Sequence, residues 1–251
     1  LGRKCKQLHL EKTGQFDPFL NMKYIAVLSG AGISAESGLK TFRDSGGLWE
    51  EYRIEDVATP EAWAKNPELV RSFYNMRLRQ MRAAAPNAAH KALVELESKY
   101  HVDIITQNVD DLHERAGSSK VLHLHGELSK CRSTDYPDAI FPMPENGLTA
   151  DDLCPRGTAL RPHIVWFGEL VPAMDQAADI IHKADILVIV GTSLNVYPAA
   201  GLAYAAVNAS RKILIDPDFI TSMPGLEVEH NRSKASKGVP EIVNALMLEN
   251  N

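Results

Sequence analysis

The chain has 251 residues, long enough to bury a substantial core as one large domain or one domain with a small insertion. Its net charge of −5 gives no electrostatic reason for nucleic-acid or anionic-membrane binding, and no apolar run approaches the ~20 residues that span a bilayer. Three cysteines, Cys5, Cys131 and Cys154, are too few and too scattered for a disulfide framework, so a reducing, cytoplasmic setting is expected.

Residues 1–21 lack the long apolar core of a secretory signal and are read as an extension ahead of the domain, with Met22 a candidate natural start. From there, strand-like apolar runs recur at Tyr24–Leu28, Val102–Thr106, Val121–Leu124, Ile186–Val190 and Ile213–Ile215. Helical patterns fall at Pro67–Arg82, Ala88–Lys99, Ala173–Lys183, Ala199–Asn208 and Val239–Leu246. This alternation predicts an α/β fold, a doubly wound, Rossmann-like parallel sheet covered on both faces. Residues 36–82 and 129–162 interrupt the pattern and are expected to form a smaller lobe, within a single catalytic domain over 22–251.

Four short motifs sit at the ends of apolar runs or close to them. They are Gly30-Ala31-Gly32-Ile33-Ser34, Thr41-Phe42-Arg43, Gln107-Asn108-Val109-Asp110 and His123-Leu124-His125-Gly126. In an open parallel sheet the carboxyl ends of the strands share one crevice, so these motifs can converge on a nucleotide with a histidine base beside it. Gly30-x-Gly32-x-x-Ala35 satisfies the loose dinucleotide fingerprint, although a tight turn without a ligand explains the same glycines. The acidic residue that a dinucleotide fold places about twenty positions later is missing. Asp216, after the Ile213–Ile215 run, is a candidate ribose contact instead.

Together with Pro86-Asn87-Ala88-Ala89-His90, Val165-Trp166-Phe167-Gly168-Glu169, Gly191-Thr192-Ser193 and Val196-Tyr197-Pro198-Ala199-Ala200-Gly201, these motifs resemble the sirtuins, NAD-dependent protein-lysine deacylases. The resemblance runs from about Met22 to Met247. It implies that the acyl-lysine oxygen attacks the nicotinamide ribose, that nicotinamide leaves, and that His125 is the base on a ribose hydroxyl, a role suited to an imidazole. His123 is read as turned away from the pocket and is given no catalytic role. Asn108 is implied as catalytic, and Gln107 and Asp110 as nicotinamide and ribose contacts, with Asp110 on the carboxamide. Asn108 or Asp110 also reads as a helix N-cap. Gly30, Ala31, Gly32, Ser34, Thr41, Phe42 and Arg43 resemble the cofactor loop, with Arg43 suited to pyrophosphate. Gly191, Thr192 and Ser193 resemble contacts to the adenosine half. Val165, Phe167, Gly168 and Glu169, with Val196 and Tyr197, resemble the two strands that clamp a substrate peptide through its main chain.

Tyr74 and Arg77 lie three apart on a predicted helix and share a face. The Tyr-x-x-Arg pattern resembles the subgroup that removes succinyl and malonyl groups, and the small Ala35 agrees with a wide acyl pocket. A solvated helix face with Arg71, Arg79 and Arg82 is the alternative. Sirtuins usually bind a structural zinc through two cysteine pairs. Here only Cys131 and Cys154 are present, with Asp135, Asp151 or Asp152 as poor supplements, so no zinc is expected. The resemblance implies NAD as co-substrate and acylated protein lysines as partners, with no nucleic acid or membrane partner and a monomer as the default. A binding module that kept the pocket without turnover is the alternative function, and a hydride-transferring dehydrogenase is a distant third.

Overall fold

A computed structural model describes residues 22–41, 48–218 and 225–249. In chain order they form β1 (Tyr24–Ser29), α1 (Gly32–Ala35), α2 (Leu48–Glu51), α3 (Ile54–Val57), α4 (Pro60–Lys65), α5 (Pro67–Ala83), α6 (Ala88–Leu96), β2 (His101–Thr106), α7 (Leu112–Ala116) and β3 (Val121–His123). The chain continues through β4 (Gly126–Ser133), β5 (Ile140–Pro142), β6 (Leu160–Ile164), α8 (Met174–Lys183), β7 (Ile186–Val190), a 3-10 turn (Ala199–Ala205), β8 (Arg211–Ile215), β9 (Glu229–Asn231) and α9 (Ala235–Leu248).

Six parallel strands form one sheet in the order β3-β2-β1-β7-β8-β9. Alternation along β1 sends Ile25 and Val27 to the face covered by α6 and α9, and Ala26 and Leu28 to the face covered by α8 and the 3-10 turn. Both faces are buried, which explains the near-continuous apolar strands. β1 lies between β2 and β7, so connections leave it in both directions. The crevice at this reversal of strand order is where an open α/β sheet accepts a ligand.

The interruptions build the second lobe. Helices α2 to α5 and the antiparallel sheet β5-β4-β6 share one core that includes Phe73, Tyr74, Leu78, Cys131, Leu160 and Trp166. Thr59 and Asn66 cap α4 and α5 by accepting from Ala62 and Leu69 N–H groups, and a proline opens each helix.

The structure differs from the sequence reading at several places. Ala199–Asn208 is a 3-10 turn ending at Ala205, and Ala88–Lys99 is helical only to Leu96. Helix α9 begins four residues before Val239 and carries Pro240 inside it. Strands β4, β5, β6 and β9 have no long apolar run to mark them, because each is short, polar or, in β6, carries a proline. Among the described residues no helix is long and apolar enough to cross a membrane.

Candidate functional site

Parallel register brings the residues that follow β1, β2, β7 and β8 into one row. Ser29 pairs with Thr106 and Val190, and Val190 pairs with Ile215, so Gly30, Gln107, Gly191 and Asp216 emerge side by side. Their backbone N–H groups continue the ladder, donating to Val190 O, Ser29 O, Ile215 O and Asn231 O at 3.0, 2.9, 3.1 and 3.2 Å. The glycines have a packing reason. A Cβ on Gly32 would lie 2.6 Å from Gly191 Cα, and one on Gly191, at φ +60°, would lie 2.3 Å from Ile33 N. The two turns therefore touch backbone to backbone.

Above this row opens a cleft of about 710 Å³ between the sheet and the small lobe. Gly30, Ala31, Gly32, Ala35, Thr41, Tyr74, Arg77, Gln107, Asn108, His125, Val165, Phe167, Gly168, Glu169, Gly191, Thr192, Ser193, Val196, Tyr197 and Asp216 all line it. Ser34 and Asp110 are buried behind that lining, while Phe42 and Arg43 lie outside the described residues. The lining also includes Trp166 and Asn195, which lie within the two segments expected to clamp a peptide, and Pro198 and Lys234, which the sequence reading did not place in the site. Lys234, just ahead of α9, carries no local signal.

His125 comes from the bend after β3. Its Nδ1 lies 3.0 Å from Gln107 O. A carbonyl only accepts, so Nδ1 carries the proton and Nε2 is the basic nitrogen of the neutral ring. Burial lowers the imidazole below its ordinary value, and the Gln107 carbonyl opposes that only in part. The ring is neutral, and ready to accept a proton, at pH 7. Residues two apart in an unbroken strand share a side. His123 and His125 part company because β3 ends at His123 and the chain bends into Gly126 at φ +81°. His123 instead contacts Asn108 O at 3.0 Å and Glu114 Oε1 at 2.7 Å.

Asn108 Nδ2 donates to Ser34 Oγ at 3.1 Å, and the same serine favours the charged form of the Asp110 carboxyl. Burial raises Asp110 above the usual carboxylate range, against the Leu112 N–H and Ser34 bonds. The N-cap of α7 is Asp111 and not Asn108 or Asp110 as expected; Asp110 Oδ1 accepts from Leu112 N at 3.2 Å from one residue earlier. Gln107 Nε2 donates to Thr192 Oγ1 at 3.1 Å and ties the loop after β2 to the loop after β7. Asp216 is buried at the cleft edge, and its Oδ1 accepts from Asp218 N.

At the small-lobe end, Tyr74 and Arg77 face inward from α5, so the solvated-face alternative does not hold for them. Burial pushes the Tyr74 phenol up to about 12, so it stays protonated and able to donate, and burial lowers Arg77 from a very high starting point. Val165–Glu169 and Leu194–Tyr197 are irregular loops rather than strands: Glu169 N closes a turn on Trp166 O, and Leu194 has φ +52°. The Glu169 carboxylate accepts from Arg161 at 2.8 Å through both oxygens, from Arg132 at 3.2 Å and from Trp166 N–H at 2.8 Å. It braces its own loop.

Behind the sheet ends lie two buried histidines. His113 Nε2 is 3.0 Å from Ser29 Oγ, and His90 Nδ1 accepts from Asn87 N–H at 3.3 Å, with the rings 5.0 Å apart. Burial lowers His90 to about 4 and His113 well below its ordinary value. Below pH ~6.5 the unfolded chain takes up protons that these rings refuse when folded, so stability present at neutral pH is lost as pH falls. His90 alone corresponds to about 3 kcal/mol over the full window. His123 works the other way: burial opposes its charge, but the Glu114 carboxylate outweighs that and raises it. The urea midpoint is expected to fall between about pH 7.5 and pH 5, and to fall less in His113→Gln. Equal falls in both proteins would show that His113 does not carry the effect.

The small lobe does not suit the zinc that sirtuins usually hold. The Cys131 thiol is buried, donates to Pro142 O and is pushed up to about 11 by burial and the Asp152 carboxylate. The Thr158 hydroxyl beside Cys154 lowers that thiol to about 7. Among the described residues no three His, Cys, Asp or Glu side chains converge as metal ligands. A closed zinc site needs four such groups, with the thiols ionised.

A switch-point cleft in a parallel sheet, close-packed glycine turns, and a neutral histidine lining that cleft together with Gln107 and Asn108 are the features of a nucleotide-dependent enzyme of Rossmann-like class. The Sir2 family profile matches residues 30–198, and the chain belongs to that family. A Bacteroides thetaiotaomicron protein named NAD-dependent protein deacylase is 49% identical over 232 residues, covering 90% of this chain and 99% of its own. A protein of the same name from Aggregatibacter actinomycetemcomitans is 56% identical over 192 residues, 76% and 92% of the two chains. A mutant Sir2 homologue solved with ADP-ribose superposes with TM-score 0.83 at 41% identity, over 93% of this chain and 97% of that one. A Sir2 bound to acetylated peptide gives 0.75 at 26% identity, over 91% and 95%.

Proposed function

We propose that this protein is an NAD-dependent protein-lysine deacylase that moves the acyl group to ADP-ribose with release of nicotinamide, and that it favours acyl groups ending in a carboxylate. The observation that carries the reaction is His125. Its Nδ1–H is pinned on Gln107 O, which leaves Nε2 to take a proton from a ribose hydroxyl at the cleft that Asn108 also lines. Asn108, hydrogen-bonded to Ser34, and the buried Asp110 carboxyl are groups suited to orienting hydroxyls and a carboxamide. The glycines at 30, 32 and 191 let the turns after β1 and β7 pack backbone to backbone, which holds both loops at the floor of the cleft.

The acyl preference rests on Tyr74 and Arg77. A half-buried guanidinium beside a protonated phenol recognises a terminal carboxylate by charge and hydrogen bond, whereas an acetyl group needs neither. Acylated lysines in protein chains are the partners, and a net charge of −5 argues against nucleic acid and anionic membranes. The same reading has the enzyme acting as a monomer in the cytoplasm.

Mass spectrometry of products from NAD with an equimolar mixture of acetyl- and succinyl-lysine peptides tests it. O-succinyl-ADP-ribose is expected to form faster than the acetyl product. Acetyl transfer alone would remove the acyl preference, and no acyl-ADP-ribose from either peptide would leave a binding module.

A further inference from the structure

Trp166 and Tyr74 stand 92 residues apart in sequence, yet the indole Nε1–H donates to Tyr74 Oη at 3.0 Å in the buried floor of the acyl end. An indole nitrogen can only donate, so the phenol is fixed as the acceptor in this bond. Its single proton must point elsewhere. Arg77, one turn along α5 and lining the same cleft, is also only a donor and cannot receive it. The phenol proton is therefore left for an acceptor other than Trp166 or Arg77, a need that a carboxylate in the pocket meets.

The indole itself is held from several sides. Arg161 Cζ stacks 3.5 Å over its ring centroid, Trp63 packs at 5.9 Å, and its backbone N–H reaches Glu169 Oε2. Glu169 is clamped in turn by Arg161 and Arg132, which outweigh the burial that opposes its ionisation. Such a support suits a group whose direction matters.

We propose that Trp166 is a positioning residue for acyl specificity: by donating to Tyr74 it commits the phenol proton to the terminal carboxylate of a dicarboxylic acyl chain. This rests on the acyl-pocket reading above. A merely structural Trp166 would affect every acyl group alike.

The test is kcat/KM with NAD for succinyl- and acetyl-lysine peptides in wild type, Trp166→Phe, Tyr74→Phe and the double variant. Trp166→Phe is expected to lower the succinyl-to-acetyl ratio of kcat/KM about 3- to 10-fold, the scale of one neutral hydrogen bond. In the Tyr74→Phe background it should not change the succinyl-to-acetyl ratio further. Equal losses for both acyl groups, or the same ratio change in both backgrounds, overturn the inference alone. A wild type without succinyl turnover overturns the acyl-pocket reading and this inference with it. Because Trp166 is buried, the wild-type indole ¹H–¹⁵N resonance gives a second readout that does not depend on the Phe variant folding. It should shift in Tyr74→Phe and on adding succinyl peptide, and its indifference to both overturns the proposal.

Discussion

Replacing His125 by alanine is expected to lower acyl transfer on the order of 10²- to 10⁴-fold, the usual contribution of a positioned general base. The fold should survive, because the ring lines the cleft and its one described hydrogen bond runs to Gln107 O. Unchanged circular dichroism with lost turnover is therefore the expected pair of results. The pH profile follows from the same contact. Burial lowers the imidazole below 6.5, so the acidic limb of kcat/KM should lie below pH ~6.5 and be flat by neutrality. His125→Ala should lose that limb together with its rate. Retained turnover would remove His125 from the base role and leave the cleft in need of another.

Arg77→Met is expected to cost succinyl turnover about 30- to 1000-fold, the 2–4 kcal/mol lost when one partner of a buried charged pair is truncated. Acetyl turnover should change little. Burial removes competing water from the Arg77 guanidinium, and Tyr74 and the Asp110 carboxyl favour its charge. Methionine keeps an unbranched apolar stem but is shorter and offers no donor to a carboxylate. Arg77→Lys separates charge from geometry: it should recover part of the succinyl rate, because an ammonium supplies charge without the planar fork. Steady-state kinetics on both peptides measure this. A parallel fall for acetyl and succinyl would place Arg77 in the scaffold, through its charge partner Asp110, and not in acyl recognition.

Much of the sheet could be read before any coordinates. Ile186–Val190 has the bounds expected, and Tyr24–Leu28 gains one residue, because a strand buried on both faces must be apolar throughout. The small lobe was harder. Gly126–Ser133 alternates polar and apolar residues across a bulge between Glu127 and Cys131, and Leu160–Ile164 carries Pro162, so neither displays a run that stands out. The 3-10 turn at Ala199–Ala205 shares its alanine-rich composition with an α-helix, and only packing against α8 and the sheet distinguishes the two.

Local chemistry in the chain itself determined the glycine turns, the parallel strands, the histidine after the third of them and the Tyr-x-x-Arg helix face. Each depends on residues within about one turn or one strand of each other. Convergence was decided by the tertiary structure. Parallel register sets Gly30, Gln107, Gly191 and Asp216 in one row although they lie far apart in sequence. Folding also made Glu169 a brace for its own loop, and brought the Trp166 indole to the Tyr74 hydroxyl. Side-chain hydrogen bonds act over about 3 Å. Which groups meet at that distance depends on how two lobes with separate cores pack around one cleft, which no local pattern encodes.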